Sequence, residues 1–141
     1  TLKENLKMWL NNYKMIHDTV DIMDAKIVNF GVEFHAVSNP EFNKYDVLGD
    51  AQRVLADYFK QPLYMGESIY ITDIYRLLNK KVRGLIDVKS VKIVSKSSGI
   101  YSRTTYDFDA ETSADGRYLK APDNVCLELK YAASDIKGTI E

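Results

Sequence analysis

The sequence predicts an α+β domain, with helices packed on one face of a small mixed or antiparallel sheet and a polar hairpin excursion. Changes of hydrophobic period and one change of composition carry that prediction. Apolar residues recur at helical spacing in some stretches and alternate at strand spacing in others. Between Ser97 and Asn124 they thin out, and Ser, Thr, Asp, Gly and Tyr take over.

From the start, Leu2, Leu6, Trp9, Leu10 and Tyr13 form the stripe of an amphipathic helix, which Asn11-Asn12 should bring to an end. Over Lys26–Val37, Val28, Phe30, Val32, Phe34 and Ala36 alternate with Asn29, Gly31, Glu33 and His35. That is a half-buried strand with one wet face, closed by Ser38-Asn39-Pro40. A second helix is expected from about Asp46 to Lys60, with Val47, Leu48, Ala51, Val54, Leu55, Tyr58 and Phe59 on one face and Pro62 just beyond it. Ile69-Tyr70-Ile71 leads to Thr72, which is placed as the N-cap of a third helix carrying Ile74, Tyr75, Leu77 and Leu78. Gly84 is placed to relieve the C-terminus of that helix.

Val88, Val91, Ile93 and Val94 mark a second strand whose alternation is imperfect. Within the polar excursion, Asp115-Gly116 reads as the tip of a hairpin between Tyr101–Phe108 and Arg117–Leu119. Val125, Leu127 and Leu129 alternate with Cys126, Glu128 and Lys130 in a further strand. The organisation expected is a leading helix and connector over 1–19, then one α+β domain over 20–141 with a polar insertion at about 97–124.

The bulk properties suit such a domain. With 141 residues, 45% apolar and 28% charged, the chain is ordinary globular material that buries roughly 70% of its unfolded surface on folding. A net charge of −1 gives no broad positive field for a polyanion. One cysteine, Cys126, allows no intrachain disulfide. The chain opens on Thr1, which we read as a piece of a longer or processed polypeptide.

Candidate chemistry is sparse. His17 and His35 fall in different segments without a Cys or His at metal-ligand spacing, so both read as solvated. Cys126, on the opposite face from Val125 and Leu127, reads as a passive thiol. Asp107, Asp109, Glu111 and Asp115 lack the glycine and terminal glutamate of a calcium loop. Gly66-Glu67-Ser68 and Ser98-Gly99 read as turns rather than phosphate cradles. Lys80, Lys81 and Arg83 suit the negative end of a helix dipole, the alternative being a grip on phosphate. We therefore expect no catalytic residues, metal or cofactor, and no small-molecule substrate. Ten tyrosines stand out, and Tyr101, Tyr106 and Tyr118 lie in the polar excursion. Exposed tyrosine gives large contact area at low entropic cost, so these three are candidate interface anchors; packing over their own hairpin is the other reading.

Taken in order, the segments from Val20 onward resemble the C-terminal region of the baseplate J-like family, which includes the tail baseplate wedge proteins of T-even-type phages. The likeness is carried by the Lys26–Val37 strand, the Val47–Phe59 helix ending in Tyr58-Phe59, and Met65-Gly66-Glu67-Ser68-Ile69 entering a short helix over Thr72–Asn79. It continues through Gly84-Leu85-Ile86-Asp87-Val88-Lys89-Ser90-Val91, Pro122-Asp123-Asn124-Val125 leading to Glu128-Leu129-Lys130, and Asp135-Ile136-Lys137-Gly138 as closing strands. The resemblance implies a structural virion component that does no covalent chemistry. It would pair with copies of itself and with other wedge proteins in a ring around the tail hub, after assembly in the host cytoplasm, without a membrane. The alternative is a nucleic-acid-binding module using Lys80, Lys81 and Arg83 with nearby tyrosines for stacking.

Overall fold

A computed structural model describes residues 1–141. Along the chain run α1 (Leu2–Asn11), β1 (Lys26–Ser38), α2 (Lys44–Tyr58), β2 (Ile69–Tyr70), α3 (Ile71–Lys81) and β3 (Leu85–Lys96). Then come α4 (Phe108–Glu111), β4 (Tyr118–Leu119), β5 (Val125–Glu128), α5 (Ala132–Asp135) and β6 (Ile136–Ile140). The fold is α+β: β1 is the centre of a mixed sheet, and β2 pairs with β4 in a small antiparallel ribbon.

On one side β1 runs antiparallel to β3, from Asn29 opposite Lys96 to His35 opposite Ser90. The next pair is Ala36 with Val88, which leaves Lys89 without a partner and makes a bulge. That extra residue shifts the phase of the strand, and it is why the alternation from Val88 to Val94 is imperfect in the sequence. On the other side β5 and β6 lie end to end, both parallel to β1, along Lys26–Asn29 and Val32–Ala36 respectively. The single turn α5 links them. A Cβ on Gly31 would come within 2.8 Å of the Asp135 carbonyl oxygen, so only glycine lets α5 lie this close to β1.

The core forms where Val28, Phe30, Val32, Phe34 and Ala36 meet Val47, Ala51 and Leu55 of α2 and Ile74 and Leu78 of α3. Each Val, Leu, Ile and Phe among them contributes about 1.5–3 kcal/mol when fully buried. Phe59 closes one end, its ring edge-on to Phe30 at 5.4 Å. Gly138 of β6 sits under the Phe34 ring, where a Cβ would approach to 2.3 Å.

The structure corrects several expectations. The polar alternates of β1 do not share one wet face: Asn29 and Gly31 are buried, and only Glu33 is open. Thr72 is not the N-cap of α3. Because Ile69 and Tyr70 are already paired in the ribbon, the chain enters the helix directly, and the Arg117 carbonyl accepts from the N–H groups of Ile71 (2.8 Å) and Thr72 (3.3 Å). Gly84 turns the chain into β3 at φ +81 rather than capping α3, which closes through the Val82 N–H on the Leu78 carbonyl.

The hairpin between Tyr101–Phe108 and Arg117–Leu119 does not form. The Ser113–Gly116 turn is present, with the Gly116 N–H donating to the Ser113 carbonyl at 2.8 Å, but β4 leaves it to pair with β2. Across that turn Thr112 bridges Leu119, with the Ser113 N–H donating to the Tyr118 carbonyl at 2.9 Å, so the return strand meets the Glu111–Ser113 segment rather than Tyr101–Phe108, while Phe108 and Leu119 enter the core. The leading helix stays off the sheet. α1 is capped at Thr1 by a reciprocal box with Glu4 and buries none of its residues; its link to the following segment is the Lys3–Asp24 ion pair. No helix is long and apolar enough to cross a membrane.

Candidate assembly surface

The polar excursion is fastened to the second face of β1 by a buried network. Asn29, 1% exposed, donates from its amide to the Glu128 carboxylate at 2.9 Å and accepts from the Ser102 N–H at 2.7 Å. Asp135, also 1% exposed, accepts from the Tyr101 hydroxyl at 2.5 Å and from the Tyr131 N–H at 3.0 Å. Lys130 adds a bond to the Ile100 carbonyl. The hydrogen bond to Asp135, with the burial it brings, raises the Tyr101 hydroxyl above the ordinary phenol range.

This network decides the fate of the three candidate anchors. Tyr101 is half-buried and spends its hydroxyl on Asp135. Tyr106 is half-buried too, donating to the Lys120 carbonyl at 3.0 Å and lying edge-on to Phe108. Burial, then the nearby Glu111, raises its hydroxyl. Neither is the freely exposed aromatic that the sequence suggested. Tyr118 is 40% exposed and directly opposite Tyr70, which is 54% exposed; the two ring centres are 6.1 Å apart. Tyr70 escaped notice in the sequence because it sits in an apolar run, and only the β2–β4 pairing reveals its exposure.

The remaining titratable groups are dispersed. His35 Nε2 is 3.1 Å from the Glu141 carboxylate, and His17 is exposed. Lys89 beside Glu141 holds that carboxyl below the usual range. Cys126 lines an apolar cleft of about 350 Å³ with Ile27, Phe59, Pro62 and Leu129. Asp107 caps α4, Asp109 pairs with Lys92, and Asp115 serves Ser113 and Arg117, so these carboxylates are spread over separate local contacts. No three His, Cys, Asp or Glu side chains are grouped as a metal site. Gly66 and Gly99 occupy turns at φ +76 and +63.

Lys80 and Lys81 line a shallow depression of about 300 Å³ together with Tyr58, Asp73, Arg76 and Leu77. Asp57 lies beside it with Tyr58 and Lys81. The basic cluster therefore shares its surface with carboxylates, and its field is mixed in sign. Burial, reinforced by Asp73, raises the Tyr58 hydroxyl above its ordinary value. The sequence matches no family model, and no curated protein matches it.

Proposed function

We propose that this chain is a structural subunit of a contractile-phage tail baseplate wedge, associating with copies of itself and with neighbouring wedge proteins, without catalysis. The observation that carries the reading is the open aromatic pair Tyr70–Tyr118 on a ribbon whose strands are anchored in the core through Ile69 and Leu119. Rigid, amphipathic rings held on a fixed backbone are suited to contacts between proteins. The ordered run of family-like segments supports the same reading. Tyr118 remains the anchor we assign from the excursion, now with Tyr70 beside it, while the hydroxyls of Tyr101 and Tyr106 are engaged within the chain by Asp135 and the Lys120 carbonyl.

Light scattering over roughly 5 to 200 micromolar tests self-association, since mass action reveals weak pairing only as concentration varies. A mass that climbs toward a dimer supports the reading. A fixed monomer mass over that range overturns self-association. The rival, nucleic-acid binding through Lys80, Lys81 and Arg83, requires a salt-sensitive shift of single-stranded RNA or DNA. Asp57 and Asp73 beside the lysines weigh against it.

A further inference from the structure

The outer surface of α3 carries charges that neither the aromatic ribbon nor the core uses, set on either side of Leu77, which is half-buried against the core. The first turn of the helix carries Asp73 and its last turn Lys80 and Lys81, with Leu77 midway. Asp73 and Lys81 lie four residues to either side of Leu77, and so on the same side of the helix. Tyr58 of α2, 42% exposed, lines the same depression. Lys80 and Lys81 take part in no ion pair within the chain. Asp73 pairs with Arg76 through Oδ1, which leaves Oδ2 without a partner in the chain.

The geometry points to a second copy of this chain as the occupant: α3 packs antiparallel on its own copy across a two-fold axis at Leu77. This inference rests on the self-association proposed above and names its face. Antiparallel pairing about Leu77 places Asp73 of each copy opposite Lys81 of the other, with Lys80 alongside. A patch that is acidic at one end and basic at the other is self-complementary under a two-fold operation, the condition that an isologous interface must meet. The two helix dipoles also run in opposite directions, which is favourable. Tyr58 and Leu77 supply an apolar centre with the aromatic anchor typical of such interfaces. A polyanion would meet Asp73 in the depression and Asp57 beside it, whereas an identical helix sets Asp73 of each copy against Lys81 of the other.

Charge reversal tests the arrangement directly. Asp73→Lys sets lysine against lysine at both ends of the pair, and Lys81→Glu sets carboxylate against carboxylate. Each variant alone is expected to weaken the dimer at least roughly tenfold, because like charges across an interface are costly. Mixing the two variants restores opposite charges at both ends, so a mixed dimer of nearly unaltered affinity is expected. Circular dichroism establishes that each variant is folded. Should Asp73→Lys disturb the first turn of α3, the unaltered chain gives a second test: its association should weaken as salt rises, since these charges lie at the surface.

The outcomes separate two failures. A wild-type chain that is monomeric throughout overturns self-association and this inference with it. A wild-type dimer that survives both reversals, or that ignores salt, overturns this face and leaves the assembly reading standing. Reversals that each abolish pairing without rescue on mixing overturn the antiparallel register.

Discussion

The two faces of β1 are held in different ways. On one, Val28, Phe30, Val32, Phe34 and Ala36 are covered by α2 and α3, and stability comes from apolar area and close packing. On the other, Asn29 and Gly31 are covered by the polar excursion and α5, and a few directed hydrogen bonds hold that cover, Asn29 to Ser102 and Glu128, and Asp135 to Tyr101 and Tyr131. Area is tolerant of small changes in side-chain shape. A directed bond is not, because a buried polar group left without its partner carries the full cost of its desolvation. The first face should therefore set global stability, and the second should set where the excursion lies.

Several substitutions would break or sharpen that contrast. Phe30→Ala should be the most damaging, at about 3–5 kcal/mol, since it opens a cavity beside Phe59 in the packed face; urea unfolding of the whole domain measures it. A loss under about 1 kcal/mol would show that the packed face is not the main source of stability. Asn29→Ala should cost about 1–3 kcal/mol, because the Ser102 N–H loses its acceptor. Hydrogen exchange should then quicken around Ser102 well before it does in α2. Uniform quickening would mean that the two faces unfold as one unit.

Tyr101→Phe leaves Oδ1 of the buried Asp135 without its donor and should cost an amount similar to Asn29→Ala. Its clearer signature lies in alkali. The Tyr101 hydroxyl titrates above its ordinary value of 10.0 in the folded chain, so the folded state holds that proton more tightly than the unfolded one. Its contribution is complete below pH 10.0 and is lost as pH rises through the raised value. Denaturant midpoints should fall in that window, and less steeply in Tyr101→Phe; an unchanged slope would remove Tyr101 from the account. Tyr58 and Tyr106 are raised as well and supply the slope that remains. Tyr118→Ala should have the smallest effect on stability, within about 0.5 kcal/mol, because the ring stands at the surface. If it unfolds the domain instead, the Tyr70–Tyr118 pair is structural and loses its claim as a contact.

Where local pattern and tertiary environment agree, the elements were legible in the sequence. β1 starts at Lys26 as expected, and α2 is displaced by two residues from the expected Asp46–Lys60, with its cap on Asn43. Those periodicities are strong because one face of each element is buried along its whole length. β3 was blurred because its bulge at Lys89 breaks the period, and a bulge is a property of pairing rather than of the strand alone.

Composition and period by themselves determined the α+β class, the strand from Lys26 and the two packed helices. The pairing of β4 with β2, the burial of Asn29 and the sorting of the tyrosines were decided only by the tertiary structure. Tyr101, Tyr106 and Tyr118 look alike in a polar stretch, yet Asp135 captures one, the Lys120 carbonyl another, and the third stays open beside Tyr70. The physical reason is that a local pattern reports which side of an element is apolar. What covers the polar side depends on partners distant in the chain, such as Glu128 and Asp135, which only folding brings to β1.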